Sequence, residues 1–448
     1  MSLAKRLAQS ENGKVDNRIT EVRQRVHQQL IDELGPVMFE RSMAQSELER
    51  AVKSKLQTAL TKEKVALSSS DRADLVSSVS DDILGYGPIS RYLSDPTVSE
   101  IMVNGADQVF VEREGKLERA PVRFIDEGHL RQLIEKIVSE AGRRVDESTP
   151  MVDARLPDGS RVNAVVSPLA VGGPFLTIRK FAEDPFGVAD LITFGTLTQQ
   201  SATFLEACVM GRLNIVVSGG TGTGKTTTLN VLSDFIPTTE RIVTVEDAKE
   251  LQLRQEHVLN LECRPANIEG RGAVTIRDLV RNALRMRPDR IVVGECRSGE
   301  ALDMLQAMNT GHDGSLTTIH ANSPRDALSR IETMTMMAGF ELPIKAIREQ
   351  MASALDVIVH LGRLRDGTRR ITHITEVQHM EGDVITLQDL FLFDFSMGVD
   401  ATGRYRGHIK STGIRPSFNE RLTDMGIPLK AELFEVEGFA RRRTTGRR

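Results

Sequence analysis

Between Arg18 and Leu34 the apolar residues Ile19, Val22, Val26, Leu30, Ile31 and Leu34 recur at helical spacing. Arg, Glu, Gln and Asp fill the positions between them. A helix lying on a membrane would show a basic polar face, so this mixed face predicts a helix that packs on protein. Gly35-Pro36 closes it. Similar periodicity through 47–60 and 70–84 predicts a small helical region over residues 1–80, with its first residues polar and mobile.

From residue 98 the pattern changes. The segment 98–105 reads as a strand and turn, 108–112 as a second strand, and Gly115-Lys116 as the close of a hairpin. Residues 130–141 read as a helix. Residues 152–166 and 175–181 read as strands around the turns Pro157-Asp158-Gly159 and Gly172-Gly173-Pro174. These elements predict an α+β domain over 81–182, followed by a linker over 183–197.

Residues 198–388 alternate apolar strands with helical segments, the pattern of a doubly wound α/β core. The strand candidates are 214–218, 241–246, 290–294 and 315–320, and each ends in a polar residue. Such residues fall at the carboxyl edge of the sheet, where ligands bind in these folds. Periodicity fades near residue 389. The remainder, 389–448, reads as an appended module with a basic tail, Arg441-Arg442-Arg443 and Arg447-Arg448, expected to be solvated, with contact with anionic lipid as the alternative.

The chain has 448 residues, enough for about three domains. No apolar run approaches the roughly 20 residues of a membrane span, and the polar N-terminus predicts no signal peptide. Cys208, Cys263 and Cys296 are scattered, which argues against a disulfide framework or zinc site and for a reducing compartment. The net charge is −4, Trp is absent and Tyr numbers 3. Neither an electrostatic footprint for nucleic acid nor a base-stacking platform is present.

Against that background one segment states a chemistry. Gly219-Gly220-Thr221-Gly222-Thr223-Gly224-Lys225-Thr226 matches G-x-x-x-x-G-K-[ST]. An apolar strand precedes it and a helical stretch beginning at Thr227 follows, which is the context of a phosphate-binding loop. Backbone N–H groups and the helix N-terminus would cradle phosphates. Lys225 would reach the β- and γ-phosphates of ATP, and the Thr226 hydroxyl would ligate Mg²⁺. Glu246 and Asp247 end a strand and could hold Mg²⁺ or orient water, or simply start a helix. Arg290-Ile291-Val292-Val293-Gly294-Glu295 is an apolar strand with one terminal acid, which would hold Mg²⁺ through water. His312 and His320 flank a Ser/Thr-rich strand, and His320 could sense the γ-phosphate. No arginine stands beside the loop in sequence. Positive charge on the phosphoryl group must then come from another domain or subunit, and Arg155, Arg161 and Arg179 of the α+β domain are candidates, with ordinary surface arginine as the alternative.

These segments, in this order, resemble the secretion-type traffic ATPases of type II and type IV secretion and of type IV pili, and among them the CpaF-type ATPases of tight-adherence (Tad) pili. The carriers are Gly219–Thr227 as Walker A box, Ile242–Asp247 as Asp box, Ile291–Glu295 as an atypical Walker B strand and Gly311–Asn322 as His box. Residues 99–105, 153–164 and 304–309 share the likeness, which spans about residues 80–380.

The resemblance implies a hexameric ring of subunits. Each would close an α+β domain over nucleotide held by a RecA-like P-loop domain, with a small helical extension in front. It implies roles for Gly220, Thr221, Gly222, Thr223, Gly224, Lys225, Thr226 and Thr227 in holding nucleotide. Glu246 would be the general base or water-positioning group, Glu295 the Mg²⁺-organising acid and His320 the γ-phosphate sensor. Arg155, Arg161 and Arg179 would reach the phosphates, and Arg281, Arg285 and Arg297 are further arginines of the core. The lack of a four-cysteine insertion argues against the type II branch. The expected protein is a cytoplasmic ATPase, peripheral at the inner membrane, that uses ATP and Mg²⁺ to drive inner-membrane pilus-platform proteins, with no nucleic acid and no other metal. A nucleic-acid translocase and a non-hydrolysing nucleotide-gated scaffold are the alternatives.

Overall fold

The computed structural model describes residues 85–436, apart from 114, 182–184 and 267–270, together with isolated helical positions between 26 and 82. The helices expected over 18–34, 47–60 and 70–84, and the basic tail, otherwise lie outside the described residues. The chain divides into two compact units, Met1–Glu183 and Asp184–Arg448.

Among the described residues of the first unit, a long helix covers one face of an antiparallel sheet, and a short helix, Ser90–Leu93, precedes the first strand. The strands of the sheet are β1 (Val98–Asn104), β2 (Val109–Arg113), β3 (Lys116–Arg119), β4 (Met151–Arg155), β5 (Arg161–Val165) and β6 (Phe175–Arg179), in the order β3-β2-β1-β6-β5-β4. Helix α1 (Glu127–Glu140) starts where the Asp126 carboxylate accepts the His129 N–H at 2.8 Å, satisfying one orphan donor. Leu130, Leu133, Ile134, Ile137 and Val138 recur at helical spacing. They pack on Ile101, Val103, Val162, Ala164, Leu176 and Ile178, the inward positions of the strands.

The second unit is built on a nine-stranded sheet. In chain order its elements are α2 (Val188–Thr193), α3 (Gln199–Met210), β7 (Ile215–Gly219), α4 (Lys225–Ser233), β8 (Ile242–Glu246), β9 (Val258–Glu262), α5 (Ile276–Ala283), β10 (Arg290–Cys296), α6 (Glu300–Asn309) and β11 (Leu316–His320). There follow α7 (Pro324–Met336), α8 (Ile344–Ala354), β12 (Val357–Arg363), β13 (Arg369–Glu381), β14 (Val384–Phe393), β15 (Ile409–Ser411) and α9 (Asn419–Asp424). The order β15-β14-β13-β12-β7-β11-β10-β8-β9 leaves β15 and β9 at the margins. The six strands from β12 to β9 are parallel, and β13 to β15 extend them antiparallel. Both faces of the sheet are covered. Ile215 and Val217 face the layer of α3 and α4, whereas Val216 faces the layer of α5 to α8. That is why β7 reads as a continuous apolar run.

Two features were not anticipated. The segment expected as a linker, 183–197, contains α2, whose Leu191 lies in the core. The expected boundary at 388/389 falls inside β14. Beyond it Phe391, Leu422 and Phe434 share one core with Phe204 of α3, ring to ring at 5.1 Å for Phe391 and 6.1 Å for Phe434. Two acids, half-buried Asp356 and buried Glu376, fasten this end of the chain. Asp356 meets the Arg421 guanidinium at 3.0 Å, and Glu376 accepts the Ser417 N–H at 2.8 Å. Among the described residues no helix is long and apolar enough to cross a membrane.

Candidate active site

The parallel strands deliver their last residues to one edge. Strand β7 runs into the Gly-rich loop, and α4 begins at Lys225 with Gly224 as its N-cap at φ 94°, a conformation in the region that favours glycine. Gly219 is required for a different reason. A Cβ there would come within 2.6 Å of Thr223 Oγ1 and 2.7 Å of the Leu361 carbonyl. The Thr223 hydroxyl donates to the Gly220 carbonyl at 2.9 Å, closing the loop on itself.

Lys225 is buried at the head of α4. Its ammonium donates to the Gly220 carbonyl at 3.0 Å and lies 3.3 Å from His320 Nε2. Burial lowers its pKa, partly countered by the Glu295 carboxylate. His320 ends β11, directly opposite Gly219 in the register. Its Nε2 is also 2.9 Å from Glu295 Oε1. Burial, then the Lys225 charge, lowers the His320 pKa and keeps the ring neutral near pH 7. One ring nitrogen can serve only one of these neighbours. Carrying a proton it donates to Glu295; without one it accepts from Lys225.

Glu295 owes its direction to a bulge. In the β10–β11 pairing Val293 meets Thr317 but Cys296 meets Ile319, so one extra residue is accommodated at Gly294-Glu295. Such bulges re-aim side chains. Arg297 then binds Glu295 Oε2 at 2.8 Å and Asp247 Oδ2 at 3.1 Å. Lys225, His320, Glu295, Arg297 and Asp247 thus form one continuous polar chain.

Glu246 ends β8 beside Gly294. A Cβ on Gly294 would lie 2.9 Å from Glu246 Cγ, which explains why no side chain occupies the place before Glu295. Glu246 Oε2 accepts the N–H groups of Glu250 and Leu251 at 2.8 and 2.9 Å. Oε1 is buried and has no hydrogen-bond partner among the described residues. Burial outweighs the two N–H bonds and raises the carboxyl pKa from 4.5 to about 6. An acceptor poised near neutrality, with one oxygen unused, suits a base that takes a proton from water.

Thr226 and Thr227 lie in the first turn of α4. A Mg²⁺ ion would find the Thr226 hydroxyl and Glu295 at the same sheet edge, and the buried orphan oxygen of Glu246 next to Glu295 fits a site built for a hydrated cation or its water. His312 does not belong here. It precedes β11, at the strand's opposite end, where its carbonyl accepts the Ser315 hydroxyl.

Arg155, Arg161 and Arg179 come together within the first unit. Arg155 is paired with Arg161, and Arg161 with Arg179, across β4, β5 and β6, and Arg179 with Glu100 on β1. The four form one cross-strand row, on the face opposite α1, with Arg179 3.7 Å from Glu100.

No arginine stands beside the phosphate loop in sequence, but two of the same unit lie beside it in space. Arg369, at the start of β13, donates from Nε to the Gly222 carbonyl at 2.9 Å. Arg363, at the end of β12, sits 4.0 Å from where a Gly222 Cβ would be. The hairpin turn Asp366-Gly367 between them was the available signal. Nothing in the sequence ties Arg369 to a glycine 147 positions earlier.

The signature of the type II/IV secretion system protein family matches residues 82–388, and that of the type II secretion system protein E N-terminal domain matches residues 19–84. A conjugal transfer protein of Mycobacterium tuberculosis is 39% identical over 309 residues, 68% of this chain and 87% of its own. The type IV secretion system protein VirB11 of Brucella suis is 33% identical over 318 residues, 65% of this chain and 88% of its own. Among solved structures, the pilus retraction motor PilT with bound ADP aligns at a TM-score of 0.50 and 24% identity, over 67% of this chain and 81% of its own. That likeness is one of fold.

Proposed function

The chain belongs to the type II/IV secretion system protein family, and from that premise we propose that it is an ATP hydrolase working as a ring-forming motor of a type IV or Tad-like pilus. The observation that carries the reading is the polar chain at the carboxyl edge: a phosphate loop, a neutral histidine and two acids in different environments, on four neighbouring strands. Nothing in this set recognises a base or sugar edge; all of it serves a phosphoryl group.

ATP bound at Gly219–Thr226 would draw the Lys225 ammonium from Gly220 and His320 to phosphate oxygens. Mg²⁺, held by Thr226 and through water by Glu295, would neutralise charge on the phosphoryl group. Glu246, ionised above pH 6, would take the proton of the attacking water. His320, relieved of Lys225, would exchange that contact for the γ-phosphate and lose it on hydrolysis. The arginine row of Arg155, Arg161 and Arg179 would supply the remaining positive charge, from the same chain or a neighbouring copy. Closure and release at the junction of the two units, ahead of α2, would then convert hydrolysis into movement. Inner-membrane platform proteins of the pilus are the proposed recipients, reached from the cytoplasmic side.

The test is turnover in Lys225→Ala and Glu295→Gln, with circular dichroism to check the fold. Both should lose phosphate release while keeping wild-type spectra. Undiminished turnover in Glu295→Gln would remove that residue from the mechanism. Stimulation by single-stranded DNA would favour the translocase reading instead.

A further inference from the structure

The phosphate loop is tied to a distant stretch of its own unit by one strand end. Arg369 donates from Nε to the Gly222 carbonyl at 2.9 Å. The carbonyl of the same residue accepts the Thr196 hydroxyl at 2.9 Å, and the Ile371 N–H donates to the Thr196 carbonyl at 3.3 Å. Arg370 donates to the Phe194 carbonyl. Gly195 sits between these contacts at φ 73°, and a Cβ there would fall inside the Arg370 guanidinium. Phe194 in turn stacks edge-on against Phe186 at 5.3 Å, clasping both ends of α2. Residues 186–196 are therefore held as one body, fastened at Arg369-Arg370.

The grip on Gly222 has a geometric consequence. In a trans peptide the C=O and the following N–H point in opposite directions. Fixing the Gly222 carbonyl toward Arg369 turns the Thr223 N–H away from it. An anion that draws on the Thr223 N–H therefore acts on the Arg369 contact, and through it on the Thr196 pair.

We propose that Arg369 is a positioning residue that couples occupancy of the phosphate loop to residues 186–196, which follow the junction of the two units in sequence. This rests on reading Gly219–Thr226 as the nucleotide loop. The coupling needs no contact between Arg369 and nucleotide. It needs only the two hydrogen bonds at opposite ends of one residue, to Gly222 and from Thr196.

Hydrogen exchange read by mass spectrometry on the full chain, with and without MgADP, tests it, alongside direct binding of a fluorescent ADP analogue. In wild type, MgADP should slow exchange over 191–197 by about tenfold, the effect of one hydrogen bond of ordinary worth. Arg369→Gln should reduce that slowing to less than about twofold and change ADP affinity by less than about fivefold. Thr196→Val cuts the far end of the tie and leaves the loop contact alone. It should abolish the slowing with affinity unchanged, and it decides the matter if Arg369→Gln fails to fold. A purely structural arginine would raise exchange equally with and without nucleotide. Retained slowing in the variants, or a wild type that binds ADP with no change over 191–197, overturns the coupling alone. A wild type that binds no ADP overturns the nucleotide-loop reading and this inference with it.

Discussion

Replacing Glu246 with Gln isolates one ionisation whose cost the fold sets. The side chain is 3% exposed. Burial drives its pKa up, the N–H groups of Glu250 and Leu251 pull it down, and burial wins, from 4.5 to about 6. The native state therefore holds this proton more tightly than the unfolded chain. The stabilisation is complete below pH 4.5 and is lost as pH rises through 6. The gap between those two values corresponds to about 2 kcal/mol. Gln carries no such ionisation. Whatever constant the new amide adds, the variant must gain about 2 kcal/mol on wild type between pH 4.5 and 7. For a unit of this size that is about 5 °C in melting temperature. Scanning calorimetry at a series of pH values, following the transition that ADP raises, reads it. Curves that stay parallel would refute the burial argument. A variant that loses ground as pH rises would mean that the two N–H bonds outweigh desolvation.

Gly294→Ala places a methyl 2.9 Å from Glu246 Cγ, and the pinned Oε2 leaves that side chain little room to yield. Turnover should fall about a hundredfold with the fold retained, and unchanged phosphate release would detach Glu246 from the chemistry. Phe204→Ala removes a fully buried ring that packs on Phe391 and Phe434. It should destabilise the second unit by about 3–5 kcal/mol, checked by calorimetry. Mixing Arg155→Ala subunits with Lys225→Ala subunits should restore part of the lost turnover if arginine acts on a neighbour's nucleotide, and none if it acts within its own chain.

The site was legible where chemistry is local. The phosphate loop, Glu246, Glu295 and His320 each close an apolar strand, and strands in such a core end at one edge. The alternation of strand and helix follows from the same periodicities, whereas the order of the strands within either sheet does not. What stayed hidden depends on pairing across long sequence separations. No local pattern reports that Arg369 meets Gly222, or that Arg155, Arg161 and Arg179 share one row. No local pattern explains Gly294, and only the position of Glu246 shows that its missing side chain leaves room for another. Past residue 388 the sequence loses its rhythm because β14 and β15 contribute only a few inward residues each, among them Phe391 and Ile409.

The margins of the nine-stranded sheet bear on how such a protein survives crowding. One margin, β15, is three residues long; the other, β9, is five residues long and ends in the exposed Glu262. Long, flat, apolar borders template the addition of foreign strands and seed fibrils. β15 covers only Phe391–Phe393 of β14, and beyond it side chains occupy carbonyls of β14, Arg325 that of Ile385 and Thr412 that of Asp389, which blunts this border as well. Many copies can gather at high local concentration without their sheets zipping together, so association is left to side-chain surfaces that can come apart again.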